Sequence, residues 1–251
     1  MIQLENLVIA SPEQMCFIIE GMRNPMNSWD KSDSEYYGEA EDEYGRQEKS
    51  NFWLGENDHK LMCKLAKAGK DHRKFMRMMP VYVRITAPLY WWKEFDTYKV
   101  GTVANSCSTM HRITSKEFTL NDFSTEHMCK GSIDTLNETI DILNEFREWY
   151  MKYDSISDEG KKLFNKQITC KKDIWWQLIQ LLPSSYNQTR NVMMNYEILA
   201  NIYQARKDHK LDEWRYFCRF IEKLPYSELM CGLLTPIGDS PVCHGVAISK
   251  E

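Results

Sequence analysis

Long apolar runs, closely spaced cysteines and a surplus of positive charge are all missing from this 251-residue sequence, and each absence excludes a class of protein. With no run of about 18 apolar residues, no membrane-spanning helix is expected. The opening MIQLENLVIA has neither the basic start nor the cleavage pattern of a secretory signal, so a cytoplasmic location is the expectation. A formal net charge of −4 gives no general attraction to nucleic acid or anionic lipid. Eight cysteines stand at positions 16, 63, 107, 129, 170, 218, 231 and 243, none within two to four residues of another, and the six histidines are equally scattered. That spacing suggests neither a zinc site nor a redox pair, and no metal site is expected. Internal repeats and low-complexity linkers are absent too.

What is present fits a globular protein able to bury a core: 43% of the residues are hydrophobic and 27% charged. The chain opens with a short β-rich run, LVIA. Ser11-Pro12-Glu13-Gln14 then supplies an N-cap, a proline at the first helical position and a capping-box glutamine, and Met15, Ile18, Ile19 and Met22 follow at helical spacing. Residues 30–49 carry eight acids against three bases, which predicts a solvated acidic loop insertion. NDHKLMCKLAKAG predicts a helix ending at Gly69. VYVRIT alternates, with Val81, Val83 and Ile85 on one face, and predicts a strand; Pro88 closes it and opens a helix.

The second half reads as helical. Thr135 and Glu138 suggest a capping box ahead of a stripe of Leu136, Ile140, Leu143, Phe146 and Trp149. DIWWQLIQLLP predicts a helix stopped at Pro183. The segment from Thr189 to Pro225 predicts two more, the last facing inward with Leu211, Trp214, Phe217, Ile221 and Leu224. The expectation is one α+β domain over 1–251, helix-rich towards its C-terminus.

The stretch PLYWWKEFDTYKVGTVANSCSTMHR, from Pro88 to Arg112, is the most specific. A strand, Asp71-His72, an apolar strand and a proline-led helix running into Asn-x-x-Ser resemble the flavin-dependent thymidylate synthases. That family carries Arg-His-Arg, two residues, Ser, one residue, Asn-Glu-x-Ser-x-Arg, and further on Asn-x-Arg, eight residues, Arg, and Glu-x-Arg. Asn105 and Ser108 match the first motif; Asn195 and Arg206 match the second. Glu213 and Arg215 match the last element once one residue is deleted. The resemblance covers roughly Ser11 to Pro225, outside the acidic segment. The chain departs from it at Tyr98-Lys99-Val100, which stand where the Arg-His-Arg triplet falls. It departs also at Val103, Ser106, Met110 and Glu197.

The resemblance implies an antiparallel sheet in a flavin-dependent thymidylate synthase-like fold, FAD as cofactor, and NADPH and methylenetetrahydrofolate as co-substrates. It implies reductive transfer of a one-carbon unit to C5 of dUMP or a related pyrimidine nucleotide. It also implies a homotetramer whose arginines from helix 192–207 complete a neighbour's site. It makes Ser108 the reactive-site serine and catalytic candidate, with a nucleotide-binding hydroxyl. His72, Lys99, Asn105, Asn195 and Arg206 become cofactor-binding candidates; Ser106, Cys107, Ser108, Arg112 and Arg215 become substrate-binding ones. Asn195 and Arg206, eleven residues apart, would share one face of a single helix, where an arginine forks onto a phosphate. Lys99 and Arg112 would replace part of the missing guanidinium charge, although lysine cannot bind bidentately. Each of these cations has a plainer reading as a solvated surface residue. Trp91, Trp92, Phe95 and Tyr98 read as core packing more readily than as ring stacks on a ligand. Two alternatives stay open: a divergent flavoenzyme modifying another pyrimidine nucleotide, and a non-catalytic oligomeric nucleotide- or flavin-binding protein.

Overall fold

The computed structural model describes residues 2–41, 47–155 and 168–232. They fall into two compact units, one made of Thr86–Asp96 and Ser106–Arg190, the other of Ile2–Ile85, Thr97–Asn105 and the chain from Asn191 onward.

The second unit begins with β1 (Gln3–Ile9) and α1 (Pro12–Arg23). The Ser11 capping box forms as its residues dictate: Ser11 Oγ accepts the Gln14 N–H at 3.2 Å, and Gln14 Oε1 accepts the Ser11 N–H at 2.9 Å. Met15, Ile18, Ile19 and Met22 are buried as their spacing predicts. The acidic segment departs from a plain loop. β2 (Glu35–Tyr37) pairs antiparallel with β5 (Asn51–Trp53), and β3 (Ala40–Glu41) with β4 (Gln47–Glu48). Glu35, Tyr36 and Tyr37 stay exposed on β2 while Phe52 is buried on β5, so this pair satisfies backbone groups without desolvating Glu35.

Behind the ladder sits a buried carboxylate. Asp58, on α2 (Glu56–Lys67), accepts the Arg23 Nε–H at 2.6 Å, the hydroxyls of Ser32 and Ser34 at 2.7 Å, and the N–H groups of Asp33 and Ser34. Burial alone would push its pKa up. The hydrogen bonds from Ser34, Ser32 and Arg23, with the Arg23 charge, hold it below the ordinary range.

Past Gly69, whose φ of +105° ends the helix region, comes β6 (Pro80–Pro88), with Val81, Val83 and Ile85 buried and Tyr82 and Arg84 exposed. β7 (Val103–Ser106) and β8 (Asn187–Asn195) complete a four-stranded antiparallel sheet in the order β1-β6-β8-β7. β8 corrects the all-helical reading of this region. Its Val192 and Met194 alternate into the core, and the helix starts only at Tyr196. α7 (Tyr196–Arg206), α8 (Asp212–Glu222) and the short α9 (Glu228–Cys231) follow, and Trp214, Phe217, Ile221 and Leu224 are buried as expected.

In the first unit, α3 (Leu89–Phe95) follows Pro88, and α4 (Thr109–Arg112) is a single turn. α5 (Lys130–Lys152) packs with α6 (Lys171–Leu181) around Ile113, Phe118, Phe123, Leu136, Ile140, Leu143 and Leu178. α5 starts five residues before the proposed Thr135 cap. Thr135 lies inside the helix, where its hydroxyl donates to the Gly131 carbonyl one turn back at 3.0 Å. Trp91, Trp92 and Phe95 form an edge-to-face and stacked aromatic cluster and are 0, 1 and 2% exposed. They are already covered by their own chain. A subunit interface is therefore not needed to bury the apolar face of α3.

Candidate functional site

The residues singled out from the sequence lie in both units, and each unit holds its own group. In the second unit the loop Thr97–Thr102 runs beside α7. Gly101 adopts a φ of +79°, and a Cβ there would lie 3.1 Å from Asn195 Nδ2 and 3.3 Å from Ile198. Glycine alone gives this close approach in that conformation. Asn195 is the N-cap of α7, its Oδ1 accepting the Ile198 N–H at 3.0 Å. This corrects the expectation that it shares a helix face with Arg206, because the helix begins one residue later and the Asn195 side chain turns to the helix end.

Arg206 occupies the last turn of α7. Its Nε–H donates to the Tyr98 hydroxyl at 2.9 Å, its Nη1 lies 2.9 Å from His209 Nε2, and its guanidinium stands 4.7 Å from the Trp214 ring centroid. Arg215 is tied down as well. Its Nη1 donates to the carbonyls of His209 at 2.8 Å and Lys210 at 3.3 Å, and its Nη2 pairs with Asp212. These bonds draw Tyr98, Arg206, His209, Trp214 and Arg215 together. Lys99 is exposed on the same loop, and Asn105 is exposed on β7. His72 is exposed on the turn after α2, its N–H bonded to the Gly69 carbonyl, and the described contacts do not join it to this group.

Glu197, standing where the family pattern has an arginine, is buried. It pairs with Arg77 at 2.5 Å and with Arg73 at 3.6 Å. In the first turn of α7 a carboxylate suits the helix dipole where a guanidinium would not. The reversed charge at 197 is thus matched by two local arginines.

In the first unit, Ser106, Cys107, Ser108 and Arg112 are exposed. Their segment is stapled to β8. The Cys107 N–H donates to the Thr189 carbonyl at 2.9 Å, and Gln188 Nε2 donates to the Cys107 carbonyl at 3.2 Å and Thr109 Oγ1 at 2.9 Å. Ser108 caps α4, its Oγ accepting the His111 N–H at 3.2 Å. Its hydroxyl proton remains available to donate, and no described hydrogen bond links an imidazole to Ser108 Oγ as a nucleophile would need.

Beside this turn opens a cavity of about 400 Å³ lined by Met110, His111, Tyr150, Lys171, Lys172 and Trp175, among others. Trp175 is fixed by its Nε1–H donating to the Met110 carbonyl at 2.9 Å. Lys171 lies 4.9 Å over the Tyr150 ring and pairs with Asp154 at 2.5 Å. Two planar rings and three basic side chains suit a ligand that joins an aromatic base to an anion. From the sequence this part is expected only as the helix DIWWQLIQLLP, from Asp173 on. The signal was Lys171-Lys172 in its first turn, one turn ahead of Trp175-Trp176.

Compared with known protein families, the chain matches no family model, and no curated protein matches it. Among solved structures it is similar to a flavin-dependent thymidylate synthase from Helicobacter pylori complexed with FAD and dUMP. Identity is 12%, the TM-score 0.56, and the match covers 92% of this chain and 96% of that one. A second structure of that enzyme with FAD and dUMP gives 11% identity and a TM-score of 0.55, over 92% and 95% of the two chains. The α+β fold expected from the motifs, with its antiparallel sheet and helix-rich C-terminal half, is the fold found.

Proposed function

We propose that this chain is a flavin-dependent enzyme of pyrimidine nucleotide metabolism, transferring a one-carbon unit from methylenetetrahydrofolate to C5 of dUMP, with NADPH as reductant. The observation that carries the reading is the cavity beside Ser108–Arg112. In it aromatic rings and basic side chains gather beside the turn that Ser108 caps, in a chain with the thymidylate synthase fold. FAD, when bound, supplies the hydride chemistry, and the protein supplies binding, orientation and charge.

In this reading Tyr150 and Trp175 flank the pyrimidine, while Lys172, His111 and Arg112 hold the phosphate. Ser108 donates its free hydroxyl proton to a nucleotide oxygen. Lys99, Asn105, Asn195, Arg206 and Arg215 belong to the flavin-binding group, and His72 is assigned to it by the resemblance alone. The donor set fits an anionic cofactor in kind. Arg206 and Arg215 are already positioned by aromatic and carbonyl partners, so little side-chain entropy remains to be lost on binding. The homotetramer that the resemblance implies and the cytoplasmic setting expected from the sequence both belong to this reading; among the described residues no helix is long and apolar enough to cross a membrane.

One observation favours a second reading, a related pyrimidine nucleotide in place of dUMP. Tyr98, Val100, Met110 and Glu197 replace four arginines of the pattern, and Glu197 is committed to Arg73 and Arg77. Calorimetric titration with dUMP, UMP and dCMP separates the two. Tightest binding of dUMP, weakened at least about tenfold by Lys172→Ala as expected for one charge-assisted contact, supports the first. Tighter binding of another pyrimidine nucleotide supports the second, and no binding of any of the three contradicts both.

A further inference from the structure

A second cavity, of about 240 Å³ and wholly within the second unit, lies between α2 and the segment carrying α7 and α9. His59 and Cys63 stand four residues apart on α2, so both project from one helix face. Glu228, at the start of α9, reaches the same point. His59 Nε2 lies 2.7 Å from Glu228 Oε1 and 3.7 Å from Cys63 Sγ, and the three donor atoms all fall within 4.8 Å of one another. From this geometry we infer that His59, Cys63 and Glu228 form a zinc-binding site whose fourth position, among the described residues, is open to the cavity.

The arrangement does not suit a nucleophilic triad. Cys63 and Glu228 both address Nε2, whereas a relay uses the two ring nitrogens separately. Convergence on one point is what a metal requires. Tetrahedral zinc with ordinary bond lengths holds nitrogen and oxygen ligands about 3.4 Å apart, and sulfur and nitrogen about 3.6 Å apart. The Cys63–His59 separation is already close to that. The His59–Glu228 pair opens by about 0.7 Å as the metal takes the place of the shared proton. One imidazole, one thiolate and one carboxylate form a mixed N/S/O set that favours zinc over magnesium or calcium.

Charge agrees with the assignment. A thiolate and a carboxylate neutralise Zn²⁺, so Lys67 and Arg73, which also line the cavity, meet no excess charge. Arg73 already faces Glu197. Zinc takes the Cys63 thiolate, so the thiol proton leaves to solvent as the metal enters. The backbone gives an independent sign. Tyr226, two residues before Glu228, has a φ of +56°, a conformation unfavourable for an aromatic residue, in the turn that brings Glu228 to α2. The site clasps α9 to α2. Its open position faces a cavity also lined by Asn201 and Gln204, which suits a water or a small oxygen ligand.

The signal in the sequence is the His-x-x-x-Cys spacing at 59 and 63, which pairs two different ligand types one helical turn apart. The test uses the full chain, stripped with chelator and titrated with Co²⁺ and then Zn²⁺. One cobalt per chain should bind, with ligand-field bands of a four-coordinate site and a thiolate-to-metal charge-transfer band, and zinc should displace it. Zinc should also shield Cys63 from alkylation, read by peptide mass spectrometry, while exposed Cys16 stays reactive. Cys63→Ser, His59→Ala and Glu228→Gln should each weaken zinc binding more than about tenfold, and Cys16→Ser should leave it unchanged. Absence of the charge-transfer band in the parent, or shielding of another cysteine in place of Cys63, overturns the assignment. Either result is read on the parent protein and stands even if a variant fails to fold.

Discussion

The Arg206 Nε–H donates to the Tyr98 hydroxyl at 2.9 Å across 108 positions of sequence, with the guanidinium held 4.7 Å from the Trp214 ring. Tyr98 stands at the first position of the missing Arg-His-Arg triplet. In the pattern the chain resembles an arginine stands at that position; here it is a tyrosine, and it is bonded to Arg206.

Arg206→Ala should therefore have two effects. Under the proposed function, loss of a cation from the proposed flavin-binding group should weaken FAD or nucleotide binding at least about tenfold. Loss of the tyrosine bond and the ring contact should also cost about 1–2 kcal/mol of stability, a Tm decrease of roughly 2–8 °C. This replaces the simpler expectation of an exposed, tolerant position, because Arg206 is half-buried. Arg219→Ala, at an exposed arginine 5.7 Å from the Tyr216 ring, should change binding little. Fluorescence titration and thermal melting of both variants check this; equal binding by parent and Arg206→Ala would remove the motif argument.

Gly101→Ala places a side chain where φ is +79° and the nearest atom, Asn195 Nδ2, is 3.1 Å away. The strain should be about 1–2 kcal/mol, and the Asn195 cap should loosen. Thermal melting of Gly101→Ala should show the loss, whereas Gly131→Ala, with open space around its Cβ, should be neutral or stabilising.

Asp58→Asn breaks a fully buried ion pair and leaves the Arg23 charge without its carboxylate, a loss of about 3–5 kcal/mol in urea unfolding. The folded Asp58 pKa lies below its ordinary value of 3.8, so its contribution is complete above 3.8 and is lost as pH falls through the lower folded value. Acid titration followed by near-ultraviolet circular dichroism should show that component in the parent and not in the variant.

Features governed by local chemistry were legible in the sequence. The Ser11 capping box and the β6 alternation of Val81, Val83 and Ile85 depend on neighbours a few residues away. β8 was not, because Asn187-Gln188-Thr189-Arg190-Asn191 is polar and only Val192 and Met194 alternate into the core; its pairing with β6 and β7 supplies what propensity does not. The start of α5 was hidden by Gly131, a poor helix former that sits in the first turn with room around it. Within the candidate site, the retained Asn and Ser positions could be found from motif spacing. The commitments of Arg206 to Tyr98 and of Glu197 to Arg73 and Arg77 join residues 108 to 124 positions apart, and nothing local announces them.

The measurement that bears most directly on flavin-dependent nucleotide chemistry is the visible absorbance spectrum of the purified chain, taken before and after adding FAD and then dUMP. The proposed function predicts a protein-bound flavin spectrum, retained through gel filtration and perturbed as dUMP is titrated in. Colourless protein that takes up no FAD and gives no response to dUMP would contradict it.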